Sequence, residues 1–155
     1  MASETAIRDR SAVDWALLVA RLFVGVIFMT HGAQKLFGAF GGPGLAAFVR
    51  MIGPVGYLVT TGEFFGGLGL ILGFLSRFSA ASIILIMLGA IAMVHGRVGF
   101  FMNWMGNQAG EGFEYHLLAI GILLPLVIAG PGRFAIGRFL PLPKVAGERP
   151  VAVLE

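Results

Sequence analysis

The chain has 155 residues, 57% of them hydrophobic and 12% charged, with 24 glycines and a mean hydropathy of +0.90. A water-soluble domain carries about a quarter charged residues, so this composition excludes a single soluble globule. The 11 Lys and Arg against 8 Asp and Glu give a formal charge of +3, with most of the charges at the chain ends and in short gaps between apolar runs. Nucleic acid, which requires a dense basic patch, is excluded as a partner. Without cysteine, disulfide relays, thiolate nucleophiles, iron–sulfur clusters and attached c-type haem are excluded too.

Residues 1–14 place Arg8, Asp9 and Arg10 ahead of the first apolar run and superficially resemble a signal peptide. The run is too long, contains Arg21 and His31 and lacks a cleavage motif, so it reads as a retained helix. Spanning a bilayer core of roughly 30 Å takes about 20 mostly apolar helical residues. Four segments are predicted as spans: 15–37, 54–75, 78–95 and 115–129, the last two short and borrowing length from their flanks or sitting in thinner membrane. Between the first two, a glycine-rich segment holds an apolar stretch at 45–52, predicted as an interfacial or re-entrant helix. The second and third are joined by about Ser76 and Arg77 alone, an antiparallel hairpin. Residues 96–113 carry Phe100, Phe101, Trp104 and Phe113 among glycines and Asn103 and Asn107; such aromatics settle at headgroup depth and cap a bundle. From Pro141 the chain reads as a disordered tail. The predicted fold is an all-α integral membrane four-helix bundle over residues 15–133, flanked by cytoplasmic segments 1–14 and 134–155.

An even number of spans puts both termini on one side. Arg8, Arg10, Arg77, Arg133, Arg138, Lys144 and Arg149 lie on that side, and Lys35, Arg50 and Arg97 on the other. Seven against three makes the terminal side cytoplasmic and the loops after the first and third spans outward. In the second span Gly62, Gly66, Gly69 and Gly73 follow a small-xxx-small spacing that admits a close neighbour. That neighbour is either the next helix or a second copy in a homo-oligomer.

Ionisable residues inside a membrane are costly and mark function by default. His31 and Lys35 share one face of the outer half of the first helix. Glu63 lies roughly 14 Å below the outer end of the second. His95 ends the third, and Glu114 and His116 open the fourth. His31, Lys35, Glu63, His95 and at least one of Glu114 and His116 are expected to converge in the outer half of the bundle. The bland alternatives are that Lys35 snorkels while Glu63 is a protonated core group, and that His95 and His116 are merely interfacial. Arg21, roughly 9 Å into the inner half, points down to anionic headgroups or up towards Glu63, the first being preferred; Arg77 is a helix-end cation. Three imidazoles and two carboxylates hold enough donors for zinc or non-haem iron, and His31 with His95 for a b-type haem. Without a Glu-x-x-His or His-Glu-x-x-His pattern, no metal site is assigned. The same groups also suit proton exchange around a bound apolar ring such as a quinone head, with Glu63, His31 and His95 moving protons and Lys35, Glu114, His116 and Arg21 binding the ligand.

The ordered series His31-Gly32-x-x-Lys35-Leu36, Glu63-x-x-Gly66-Gly67 through Leu72-Gly73 to Arg77 and Ala80, His95 followed by Gly99-Phe100, and Gly112-Phe113-Glu114-Tyr115 followed by Gly130-Pro131-Gly132-Arg133 resembles the DoxX family of small four-helix membrane proteins over about residues 17–133. Where that family commonly has a serine and an aspartate, this chain has Ala135 and Gly137. The resemblance implies a redox setting. The family is named for similarity to the membrane part of a thiosulfate:quinone oxidoreductase, and some actinobacterial relatives are linked to an assembly with superoxide dismutase and a sulfurtransferase. The expectation is therefore a bacterial inner-membrane subunit of a quinone-linked, sulfur-compound or oxidative-stress redox system. It would bind a quinone or small apolar ligand and take electrons from substrate or a soluble redox partner. The alternatives are a non-enzymatic scaffold for soluble partners, or a small-molecule or lipid carrier.

Overall fold

The structure, a computed structural model, describes residues 4–139. The tail expected from Pro141, with Lys144 and Arg149, lies outside the described residues. The described residues form five α-helices: α1 (Glu4–Phe37), α2 (Gly44–Ile52), α3 (Val55–Leu72), α4 (Ser76–Met93) and α5 (Glu114–Ala129). No strand occurs among the described residues. The helical membrane bundle expected from the sequence is thus present, and the apolar stretch in the first loop forms α2.

α1, α3 and α4 are long and apolar enough to cross a membrane. At 1.5 Å per residue the 16 residues of α5 rise only about 24 Å, so α5 is the short span. Large apolar side chains such as Phe23, Phe78 and Ile128 point outward, as lipid rather than water demands. Neighbouring helices run antiparallel in the cyclic order α1, α3, α4, α5. The end where α1 begins and α5 finishes is called the near end; the far end carries α2 and the 94–113 loop. Leu17, Val24 and Phe28 of α1 meet Leu70, Ile83, Met87, Leu123 and Leu126 in the core.

Glycine sets how closely the helices pack. A Cβ at Gly67 would lie 2.6 Å from the Gly25 carbonyl oxygen, so α1 and α3 touch backbone to backbone. Gly62 and Gly66 face Ile86 and Ile83 of α4, and Gly69 faces Ser79, which places these small residues inside one bundle. The fourth of the series does something else. Gly73, at φ +71°, ends α3 with its N–H on Leu70 O and that of Phe74 on Gly69 O, a Schellman closure. The α3–α4 turn therefore falls at residues 73–75, and Ser76 and Arg77, expected as the link, open α4. At the other border, α1 begins at Glu4, so residues 4–14 continue the first span as helix. Beyond the fourth span, Ala135 is buried against Gly73, so the segment from Phe134 returns to the bundle.

Candidate functional site

One turn apart on α1, His31 and Lys35 both face a cavity at the far end. Gly32 between them lies directly on the backbone of Phe64, and that approach brings Lys35 Nζ onto Glu63 Oε2 as an ion pair. Glu63 is 4% exposed. Desolvating two charges offsets much of their attraction, so the pair fixes α1 against α3 more than it adds stability. Lys35 Nζ also lies 5.5 Å from the Phe48 ring centroid of α2, a cation–π contact that seats α2 across the cavity.

The opposite wall comes from α4, the 94–113 loop and α5. The loop is held by its own backbone: Phe113 N–H donates to Gly99 O and Glu114 N–H to Phe100 O. His95 Nδ1 lies 2.8 Å from Glu111 O. A carbonyl only accepts, so Nδ1 carries the hydrogen of that contact. The rings of His95 and His116 are 4.2 Å apart, and Tyr115 stands 5.7 Å from His116 and 6.4 Å from His31. Tyr115 Oη and His116 Nδ1 are buried without a well-aligned hydrogen-bond partner among the described residues.

These groups enclose about 680 Å³, with Phe28, Phe48, Ile52 and Met87 among the apolar walls. Pockets for drug-sized ligands occupy roughly 300–1,000 Å³ and have the same make-up of apolar walls with a few polar groups. Leu58 and Leu85, both 71% exposed, line it on the outer side between α3 and α4.

Of the residues singled out in the sequence, His31, Lys35, Glu63, His95 and His116 line this one cavity. Two others are elsewhere. Glu114 Oε1 accepts from Met102 N–H at 3.0 Å and from Trp104 Nε1–H at 3.3 Å; its carboxylate is consumed in ordering the loop. Arg21, 1% exposed, reaches neither headgroups nor Glu63. It donates to Leu70 O at 3.0 Å, to Ile71 O at 2.6 Å and to Phe134 O; the carbonyls at the end of α3, of which Leu70 O also accepts from Gly73 N–H, carry its negative dipole end. Arg77 Nε lies against Gly130 at the end of α5, where that dipole favours a cation. Tyr115 and Glu111 were missed. Tyr115 follows Glu114 and precedes His116, and that polar run at a helix start was the available signal. Among the described residues no three His, Asp or Glu side chains come together as a metal-ligating group.

A model of the DoxX family matches residues 16–96, which includes His31, Lys35, Glu63 and His95 and excludes the Glu111–His116 wall. The chain is also similar to the inner membrane protein YqjF of Escherichia coli strain K12, with 31% identity over 130 residues, 82% of this chain and 93% of that one. No solved structure matches it. The apolar spans, the ordered motifs and both similarities agree, and the chain belongs to the DoxX family of bacterial multi-pass inner-membrane proteins.

Proposed function

We propose that the far-end cavity binds the head of a quinone or a similar small, neutral ring, and that the protein is the membrane subunit of a redox system. The observation that carries this reading is a cavity with mainly apolar walls that Tyr115 and His116 line, the buried Tyr115 Oη and His116 Nδ1 having no well-aligned partner among the described residues. Leaving such groups unpaired costs about 1–3 kcal/mol each, and the carbonyl and hydroxyl oxygens of a quinone and its quinol supply the missing partners. Reducing a quinone takes two electrons and two protons. Glu63 and His31 or His95 exchange the protons, since carboxyl and imidazole groups can both give and take one. The electrons come from a soluble partner protein or from a reducing, sulfur-containing substrate. Both termini are cytoplasmic in this reading, on the seven-to-three distribution of basic residues, and the cavity then faces the periplasmic half of the membrane. The domain extends over residues 15–133.

The test is mass spectrometry of apolar molecules that co-purify with the protein in native nanodiscs, followed by titration with a water-soluble quinone bearing one prenyl unit. Co-purified quinone in the wild type, with reduced binding of the short probe in Tyr115→Phe, supports the reading. A protein that neither retains quinone nor binds the probe, yet captures soluble partners through its cytoplasmic ends, is a scaffold.

A further inference from the structure

A second cavity, of about 670 Å³, runs along the outside of the α3–α4 seam and shares Leu58, Leu85 and Ile86 with the first. Its origin is the glycine series. Gly62, Gly66 and Gly69 draw α4 close, yet have no side chains to fill the space beside the contact. Phe65, Phe78 and Leu72 form its rims. From Leu58 to Leu72 the groove follows α3 for about 21 Å at 1.5 Å per residue. It begins where the polar cavity opens and continues to the α3–α4 turn at the near end. A head bound beside Tyr115 and His116 therefore has one apolar exit that is already shaped as a channel.

The geometry points to a single composite site: the far-end cavity takes the ring of a prenylated quinone, and the α3–α4 groove takes its isoprenoid tail. This rests on the proposal that the cavity binds a quinone head. The charge pattern favours such a molecule over a phospholipid. Lys35, the cation lining the cavity, is already paired with Glu63, so no uncompensated positive charge among the described lining residues awaits a phosphate. Entry is lateral, from the lipid, past Leu58 and Leu85.

The test compares two probes of one head, a single-prenyl ubiquinone and a long-chain ubiquinone, on the full-length protein in nanodiscs. Ser82 lines the groove and not the polar cavity, so Ser82→Phe fills the tail channel, and Ser82→Ala reports any general effect of changing that position. Ser82→Phe should weaken the long-chain probe at least ten-fold and leave the short probe within two-fold of wild type, while Ser82→Ala leaves both. A long-chain probe with a photoreactive group at the tail end should label Phe65, Leu72 or Phe78. If the short probe binds and Ser82→Phe affects both probes equally or neither, the tail lies elsewhere and only the groove assignment falls. If the short probe does not bind wild type, the quinone reading falls and takes the groove with it. Labelling of the groove by a photoreactive phospholipid but not by the quinone, or cross-links between two chains through Ser82, would assign it to a lipid or to a second copy and overturn the inference.

Discussion

At each end of the bundle a cation is drawn in beside α3, and the two are treated in opposite ways. At the near end Arg21 spends its hydrogen bonds on the main-chain carbonyls of Leu70, Ile71 and Phe134, while Arg133 N–H donates to Asp14 Oδ1 at 2.9 Å. Single unpaired atoms remain there, Arg21 Nε and Ser76 Oγ, but neither lines either cavity. At the far end Lys35 meets a carboxylate, and Tyr115 and His116, whose Oη and Nδ1 are buried without a well-aligned partner, line an open cavity. Burial of a charge alone thus does not mark a site. Buried polarity beside an unfilled volume does.

The largest effect is expected at Arg21. Arg21→Leu strands the Ile71 and Phe134 carbonyls, while Leu70 O keeps the Gly73 N–H; since each buried unsatisfied acceptor costs about 1–3 kcal/mol, the loss of stability should be about 2 kcal/mol or more. Thermal unfolding in nanodiscs reads that loss. Binding of the short quinone probe per folded molecule should not change; if it does, the near end is part of the site.

Glu63→Gln comes next. It leaves Lys35 without its counter-charge, which in a buried pair costs about 3 kcal/mol, and it weakens probe binding. The double variant Lys35→Met, Glu63→Gln should recover most of the stability and none of the binding. Recovery of both would make the pair structural.

The two helix seams sharpen the same contrast between rigid and open regions. Gly67→Ala forces a methyl against the Gly25 carbonyl, which cannot yield, whereas at Gly66 the added Cβ meets the flexible Ile83 side chain at 3.2 Å. Overpacking costs about 1–3 kcal/mol, and Gly67→Ala should lie at the upper end and Gly66→Ala below 1 kcal/mol. Equal melting temperatures for the two would refute the backbone contact. The smallest stability effect is expected for Tyr115→Phe. It removes an unsatisfied hydroxyl, so it should leave stability unchanged or raise it slightly, by up to about 1 kcal/mol, while lowering affinity for the short probe several-fold.

Much of this was legible in the residues. Apolar length located the spans, and helix register put His31 and Lys35 on one face in the same half of the bundle as Glu63, because a side chain three or four residues along a helix shares its face. Arg21 was misread for a definite reason. Its acceptors are main-chain carbonyls exposed by the Schellman closure at Gly73 and by the return of Phe134, and neither leaves a side-chain pattern to recognise. Glu114 was misread because its own loop folds back on it, through Met102 and Trp104. The groove follows from glycines that were read for contact, whereas what they leave empty depends on which residues flank them in space.

Arg21 also bears on how the protein is made. In the order of synthesis α1 enters the membrane first, carrying a guanidinium that on insertion scales costs about 2.5–3.5 kcal/mol at a helix centre. None of its acceptors yet exists. Relief begins when Leu70 and Ile71 arrive with α3, and ends only with Phe134, 113 residues after Arg21 itself. The last bond of the bundle is therefore made by its first helix, and the chain holds an open latch throughout insertion that closes when all four spans are in place.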